Sequence, residues 1–284
     1  MNWTLTPDQF ALAWARTDGD RIPYPLAVRL SARDTDERDA QLPALQNWCD
    51  RVLDPDLEAA LRVLGAPELR IEVFGERTGP PSSDGPAGRT ERMPHAPAGD
   101  IGERGGAPDS DAGTVRPVRV LGAAAGNVAV VAAQRPGATA DRGGDIRLFV
   151  GSVKSLTARV VSMLPERAPG KTPRLTAPLA RVGEDSRDLV TVPVAGPTVP
   201  SRIRRMLRQP RDGIGQIVVS ARRGAGELRP FGVLCWIDVV DDGRYSVRTG
   251  TDVDIIPVTA HGFIAQLRPM VTAAERAGAY ADRW

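Results

Sequence analysis

The sequence predicts an α+β fold of quasi-twofold symmetry, in which two β-meander-plus-helix units join side by side into one central antiparallel sheet. Three observations carry this. A run of strands closed by a helix occurs twice, ending at residues 152–164 and again at 260–276. Several strands are apolar on both faces and so require cover on both sides. The first 65 residues read mainly as helix, which supplies part of that cover.

The first element is well punctuated. Thr6 is an N-cap, Pro7 takes the first helical position, Gln9 completes a capping box, and Leu5 with Phe10 forms a hydrophobic staple. A helix over residues 7–16 follows. Gly19 and Pro23 end it, and residues 24–30 alternate as a strand with Tyr24, Leu26, Val28 and Leu30 on one side. Asp34 or Thr35 caps a second helix running toward Trp48 and Leu53, which Pro43 is expected to kink or divide. Asp54-Pro55 starts a third, with Leu57, Leu61 and Leu64 on one face and Gly65 and Pro67 as the stop. Residues 69–74 form a strand.

Residues 78–113 are dense in Gly, Pro, Ser and charge, with Met93 and Ile101 as their only large apolar side chains. They are expected to be a disordered insertion, because they cannot bury enough surface to offset ordering. Strands resume at 118–121, turn at Gly126-Asn127 into 128–133, and continue at 145–150 before the helix over 152–164. The second unit has strands over 214–222, 228–239, 243–248 and 252–258 before the helix over 260–276. The halves divide at 1–170 and 171–284 and together make one domain. Within 228–239, Phe231, Val233, Cys235 and Ile237 share one face, and Leu234 and Trp236 the other. Helices of the same chain, or a partner, must cover both.

Composition excludes several classes. The 284 residues hold 37 basic and 35 acidic side chains, a net charge of +2, so no global attraction to nucleic acid follows. Only Lys154 and Lys171 are lysines. Cys49 and Cys235 are too few for a disulfide framework or thiolate metal site and read as buried, reduced thiols. The N-terminus lacks the pattern of a signal peptide and no stretch is apolar enough to span a bilayer, so a cytoplasmic protein without membrane insertion is expected.

No chemistry-bearing motif emerges. Gly170-Lys171-Thr172 imitates the end of a phosphate-binding loop, but its first glycine would fall at Pro165 and a helix precedes it. His95 and His261 lie in no metal or triad spacing. Asp238, Asp241, Asp242, Asp252 and Asp254 cluster around one hairpin, where turn chemistry explains them, although Asp238 inside an apolar strand requires a partner such as Arg244. A short basic helix over 201–209 sets Arg202, Arg204, Arg205 and Arg208 opposite Ile203, Met206 and Leu207. It reads as a solvated face, a phosphate site or a match for an acidic rim on a protein partner. No cofactor, metal or catalytic residue is expected.

Residues 210–217, Pro-Arg-Asp-Gly-Ile-Gly-Gln-Ile, are followed by Leu234-Cys235-Trp236-Ile237-Asp238 and by Asp242-Gly243-Arg244-Tyr245. With the Leu26 segment, the Asp36-Glu37-Arg38 helix start, the Asp54-Pro55 helix and the strand from Arg70 to Phe74, they stand in the order seen in the EspG family, which the chain resembles over nearly its whole length. The long insertion and the Asp241-Asp242 turn depart from the family pattern. The resemblance implies a mixed α/β fold with a central antiparallel sheet flanked by helical bundles. It also implies a non-enzymatic cytosolic chaperone that grips the hydrophobic tip of the PPE protein in a PE–PPE heterodimer and directs the pair to type VII (ESX) secretion. The free protein would then be a monomer or weak homodimer that binds no nucleic acid. A nucleic-acid-binding or regulatory adaptor using the arginine-rich helix over 201–209 is the alternative. Candidate contact residues are Phe231 and Trp236 on the sheet with Phe263, Leu267 and Met270 on the last helix, each of which also fits an ordinary core position.

Overall fold

The structure is a computed structural model that describes residues 1–17, 19–79, 114–184, 196–222, 224 and 226–281. The first half runs β1 (Asn2–Leu5), α1 (Pro7–Arg16), α2 (Thr35–Val52), α3 (Pro55–Gly65), β2 (Leu69–Gly79), β3 (Thr114–Ala125), β4 (Val128–Pro136), β5 (Gly143–Ser152) and α4 (Val153–Ser162). The second runs β6 (Leu175–Pro178), α5 (Leu179–Gly183), α6 (Val199–Leu207), β7 (Arg211–Arg222), β8 (Leu228–Val239), β9 (Gly243–Thr249), β10 (Asp252–Pro257) and α7 (Ala260–Ala281). The strands form one ten-stranded sheet in the order β1-β5-β4-β3-β2-β7-β8-β9-β10-β6, with each named pair antiparallel. Each half contributes five strands, a short one at the outer edge and a meander of four toward the middle, so the expected duplication is present and its symmetry point lies between β2 and β7.

Local signals read from the sequence hold in detail. Thr6 accepts from the Gln9 N–H while the Gln9 side chain accepts from the Thr6 N–H. Asp34 and Asp54 cap α2 and α3 at 2.8 Å each. Two expectations are corrected. Of the kink or division expected at Pro43 the division is absent, since α2 runs continuously through it. Residues 24–30 are not a strand. The sheet edge beside β5 is occupied by β1, and the Gln134 side chain instead bonds both the N–H and the C=O of Ala27, at 2.8 and 3.1 Å. Thr78 and Gly79 belong to β2, while the rest of the insertion expected over 78–113, with His95, lies outside the described residues.

One face of the sheet is covered by α4 and α7, which pack on each other and on the inner strands. Between them and the sheet lies the largest core cluster, including Ile71, Val73, Ile217, Val219, Leu234, Trp236, Phe263 and Leu267. The other face is covered at its two ends. Helices α1–α3 bury Leu121, Ala123, Val130, Ala132, Ile146 and Leu148, and α5 and α6 bury Ile237, Val239, Tyr245, Val253 and Ile255. Among the described residues, no helix is long and apolar enough to cross a membrane.

The seam between the halves has its own packing device. Gly75 on β2, Gly215 on β7 and Trp236 on β8 lie in one row across the sheet. The indole lies back over both glycines: a Cβ on Gly75 would stand 2.7 Å from Trp236 Cζ2, and one on Gly215 would overlap the ring. Phe263 of α7 closes over it edge to face, with centroids 6.5 Å apart. Gly215→Ala therefore overpacks the seam and is expected to cost about 1–3 kcal/mol in urea unfolding. Gly250→Ala, where an added Cβ meets nothing within 4 Å, serves as the near-neutral control.

A candidate protein-binding surface

Alternation along β8 assigns its side chains to two faces. Leu234 and Trp236 enter the core under α7. Phe231, Val233, Cys235 and Ile237 point the other way, and their fates differ. Ile237 and Val239 are buried with Ile203 and Met206 of α6. Phe231 and Val233 are 39% and 47% exposed, and Cys235 is half-buried. Both cysteines are free thiols, but only Cys49 is fully buried, which corrects the expectation for Cys235. Desolvation still pushes the Cys235 thiol pKa up.

Among the described residues, the same face continues uncovered across two more strands. Val233 pairs with Val218, Cys235 with Gln216 and Ile237 with Ile214 on β7, and Ile214 is 45% exposed. Val218 and Gln216 pair in turn with Glu72 and Phe74 on β2. The result is a strip three strands wide, with α1–α3 on one side and α6 on the other. Its floor is largely apolar, and among the described residues no helix lies on it.

The strip's border with α1–α3 is aromatic and charged. The Tyr24 ring sits 5.8 Å from Phe74, and the buried guanidinium of Arg119 stands 6.0 Å over the same ring. Arg119 Nη2 donates to the Ala140 carbonyl. Arg70 and Glu72 pair at 3.8 Å, and burial raises the Glu72 carboxyl pKa against the opposing effect of Arg70. Burial lowers the Arg70 pKa, with Glu72 opposing.

The acidic cluster around the β8–β9 hairpin resolves into separate structural roles. Arg244 donates two 2.7 Å bonds to Asp238, with both side chains at most 8% exposed, as the apolar setting of Asp238 required. Asp241 takes the left-handed turn position at φ 58°. Asp242 accepts from the Lys171 N–H and the Tyr245 hydroxyl, and Asp254 binds Arg174. A cavity of about 410 Å³ beside Arg244, Arg167 and Phe263 therefore presents arginines already neutralised by Asp238 and Asp212. No group of three or more metal-ligating side chains occurs among the described residues. His261 is exposed at the start of α7.

Of the five contact candidates from the sequence, Trp236, Phe263 and Leu267 lie in the core, each at most 1% exposed. Met270 is half-buried beneath Gly232 on the α7 face, and Phe231 is exposed on the strip. The sequence reading placed Val233 beside Phe231 on a face that needs cover but did not name it, Ile214, Val218 or Phe74 as contacts. Their alternation with core residues was visible, but the missing cover was not.

The sequence matches the family model described as the EspG family over residues 6–268. No curated protein matches it. Among solved structures, the chain is similar to the type VII secretion system chaperone EspG5 of Mycobacterium tuberculosis, solved in complex with a PE25–PPE41 dimer. The identity is 16%, each chain is covered over 96% of its length, and the TM-score is 0.59.

The split between surface and core is directly measurable. Phe231→Ala and Val233→Ala are expected to change unfolding free energy by less than about 0.5 kcal/mol. Leu267→Ala, which empties a fully buried site, should cost about 2–5 kcal/mol in the same urea melts.

Proposed function

The chain belongs to the EspG family, and from that premise we propose that it is a cytosolic, non-enzymatic specificity chaperone for PE–PPE-type heterodimers bound for type VII secretion. The observation that carries this reading is the uncovered strip of β2, β7 and β8, where Phe74, Ile214, Val218, Phe231 and Val233 leave apolar surface open in the middle of a packed sheet. Contiguous exposed apolar area on a soluble fold marks a docking site. The tip of a helical bundle has matching needs, because its helix ends combine apolar side chains with backbone groups that have no intrahelical partner. Cover by the chaperone keeps such a tip from aggregating.

The strip also supports a single binding site per chain. The duplicated sheet would offer two equivalent surfaces if cover were duplicated too. Among the described residues it is not: β8 is open at Phe231 and Val233 where its counterpart β3 lies under α1–α3. One cargo per chain follows.

Co-expression with a PE–PPE pair, followed by size-exclusion chromatography with light scattering, is expected to give a 1:1:1 complex. Val233→Asp places a charge on the β8 strand of the strip and should abolish the complex while leaving the free protein's melting temperature unchanged. Elution of every available pair apart from the wild-type chain overturns the proposal.

A further inference from the structure

Helix α6 and the residues after it hold a concentration of positive charge of which the described contacts use only part. Residues 202–211 contain five arginines and no acidic residue. Ile203 and Met206 are buried in the core cluster that includes Ile237 and Val239, and α6 packs chiefly on β6 and α5, while Arg202, Arg205 and Arg208 stand exposed at a spacing of three. Like charges at this spacing repel and weaken the helix. Arg204 is spent on the carbonyls of Arg181 and Glu184. Elsewhere exposed arginines such as Arg62, Arg174 and Arg181 have carboxylate partners. Among the described residues no ion pair involves Arg202, Arg205 or Arg208, and the next acid along the chain, Asp212, pairs with Arg167.

The position of this charge matters as much as its sign. The β8 residues that α6 buries, Ile237 and Val239, continue directly into the open Cys235, Val233 and Phe231 on the same face. The body of α6 lies over β6, and its C-terminal end runs into β7, where Arg211 pairs with Val239, so α6 borders the strip at that end. Its counterpart on the far side is aromatic, formed by Tyr24 and Phe74 with the Arg70–Glu72 ion pair and the buried guanidinium of Arg119. The two borders would ask different things of an occupant.

We infer that the arginine face of α6 is the polar rim of the strip and selects cargo whose helical tip carries acidic side chains beside its apolar end. This inference rests on the proposed function, deepening it from an apolar docking surface to one with a charge preference. Apolar area supplies adhesion without distinguishing among bundle tips, whereas a row of like charges at the edge rejects a basic or neutral neighbour.

The test uses the full chain and the PE–PPE pair that forms the 1:1:1 complex, with affinity measured by calorimetry. For the wild type, Kd should rise roughly tenfold between about 50 and 300 mM NaCl, as screening of a rim charge requires. R202E/R205E/R208E should weaken binding by at least about tenfold at the lower salt with an unchanged melting temperature, and R202Q/R205Q/R208Q should flatten the salt dependence. Reversing the acidic residues at the cargo tip to lysine should restore binding to the glutamate variant. If both arginine variants bind as the wild type does while Val233→Asp fails, the rim inference falls and the chaperone reading stands. If Val233→Asp also binds normally, the strip itself is not the docking site. Tight binding of a DNA duplex that is lost in the glutamate variant, with cargo affinity unaltered, would assign the arginines to nucleic acid and overturn the inference.

Discussion

The indole of Trp236 lies where the two halves of the sheet meet, and its seat depends on two glycines facing each other across the seam. Gly75 and Gly215 are paired on β2 and β7, one from each half, and the ring of a third strand fills the space their missing side chains leave. Phe263 then locks the ring from above. A single aromatic side chain thereby ties together β2, β7, β8 and α7. Any side chain at either glycine would push the indole toward α7, and with it the helix that covers this whole face.

A second set of contacts fixes the segment joining the halves. Gly170 packs against the Tyr245 ring, Gly243 approaches the carbonyls of Ala168 and Pro169, and the Thr172 N–H donates to the Tyr245 hydroxyl, which itself donates to Asp242. The Arg244 N–H bonds the Ala168 carbonyl while its guanidinium holds Asp238. Removing one member of a buried, hydrogen-bonded ion pair strands the other charge, at a cost of about 3–5 kcal/mol. The hairpin is thus anchored to the connection between halves as well as to the sheet, so the open strip lies on a rigid floor.

Much of this architecture could be read from the chain because local and global signals agree. The Thr6–Gln9 capping box, the Asp54-Pro55 helix start, the repeated meander and the need of Asp238 for Arg244 are each decided by a few neighbouring residues or by a buried charge. What escaped the reading depends on competition between distant segments. Residues 24–30 alternate like a strand, yet β1 holds the only edge available beside β5, and Gln134, over a hundred positions away, takes the Ala27 backbone groups. The strip escaped for a related reason. Alternation separates Val233 from Trp236, but whether a helix lies over Val233 depends on where α1–α3 and α6 stop.

The outer edges of the sheet bear on a separate hazard. A ten-stranded sheet with apolar surface exposed at its middle is at risk of joining its own kind edge to edge, because every outer strand offers unpaired backbone groups. Both edges of this sheet are strands of four residues, β1 and β6, and β6 ends in Pro178, which has no N–H to offer. Strands this short give an incoming chain few backbone bonds. The molecule can therefore leave apolar area open to a partner on its face while giving little purchase for fibre growth at its margins.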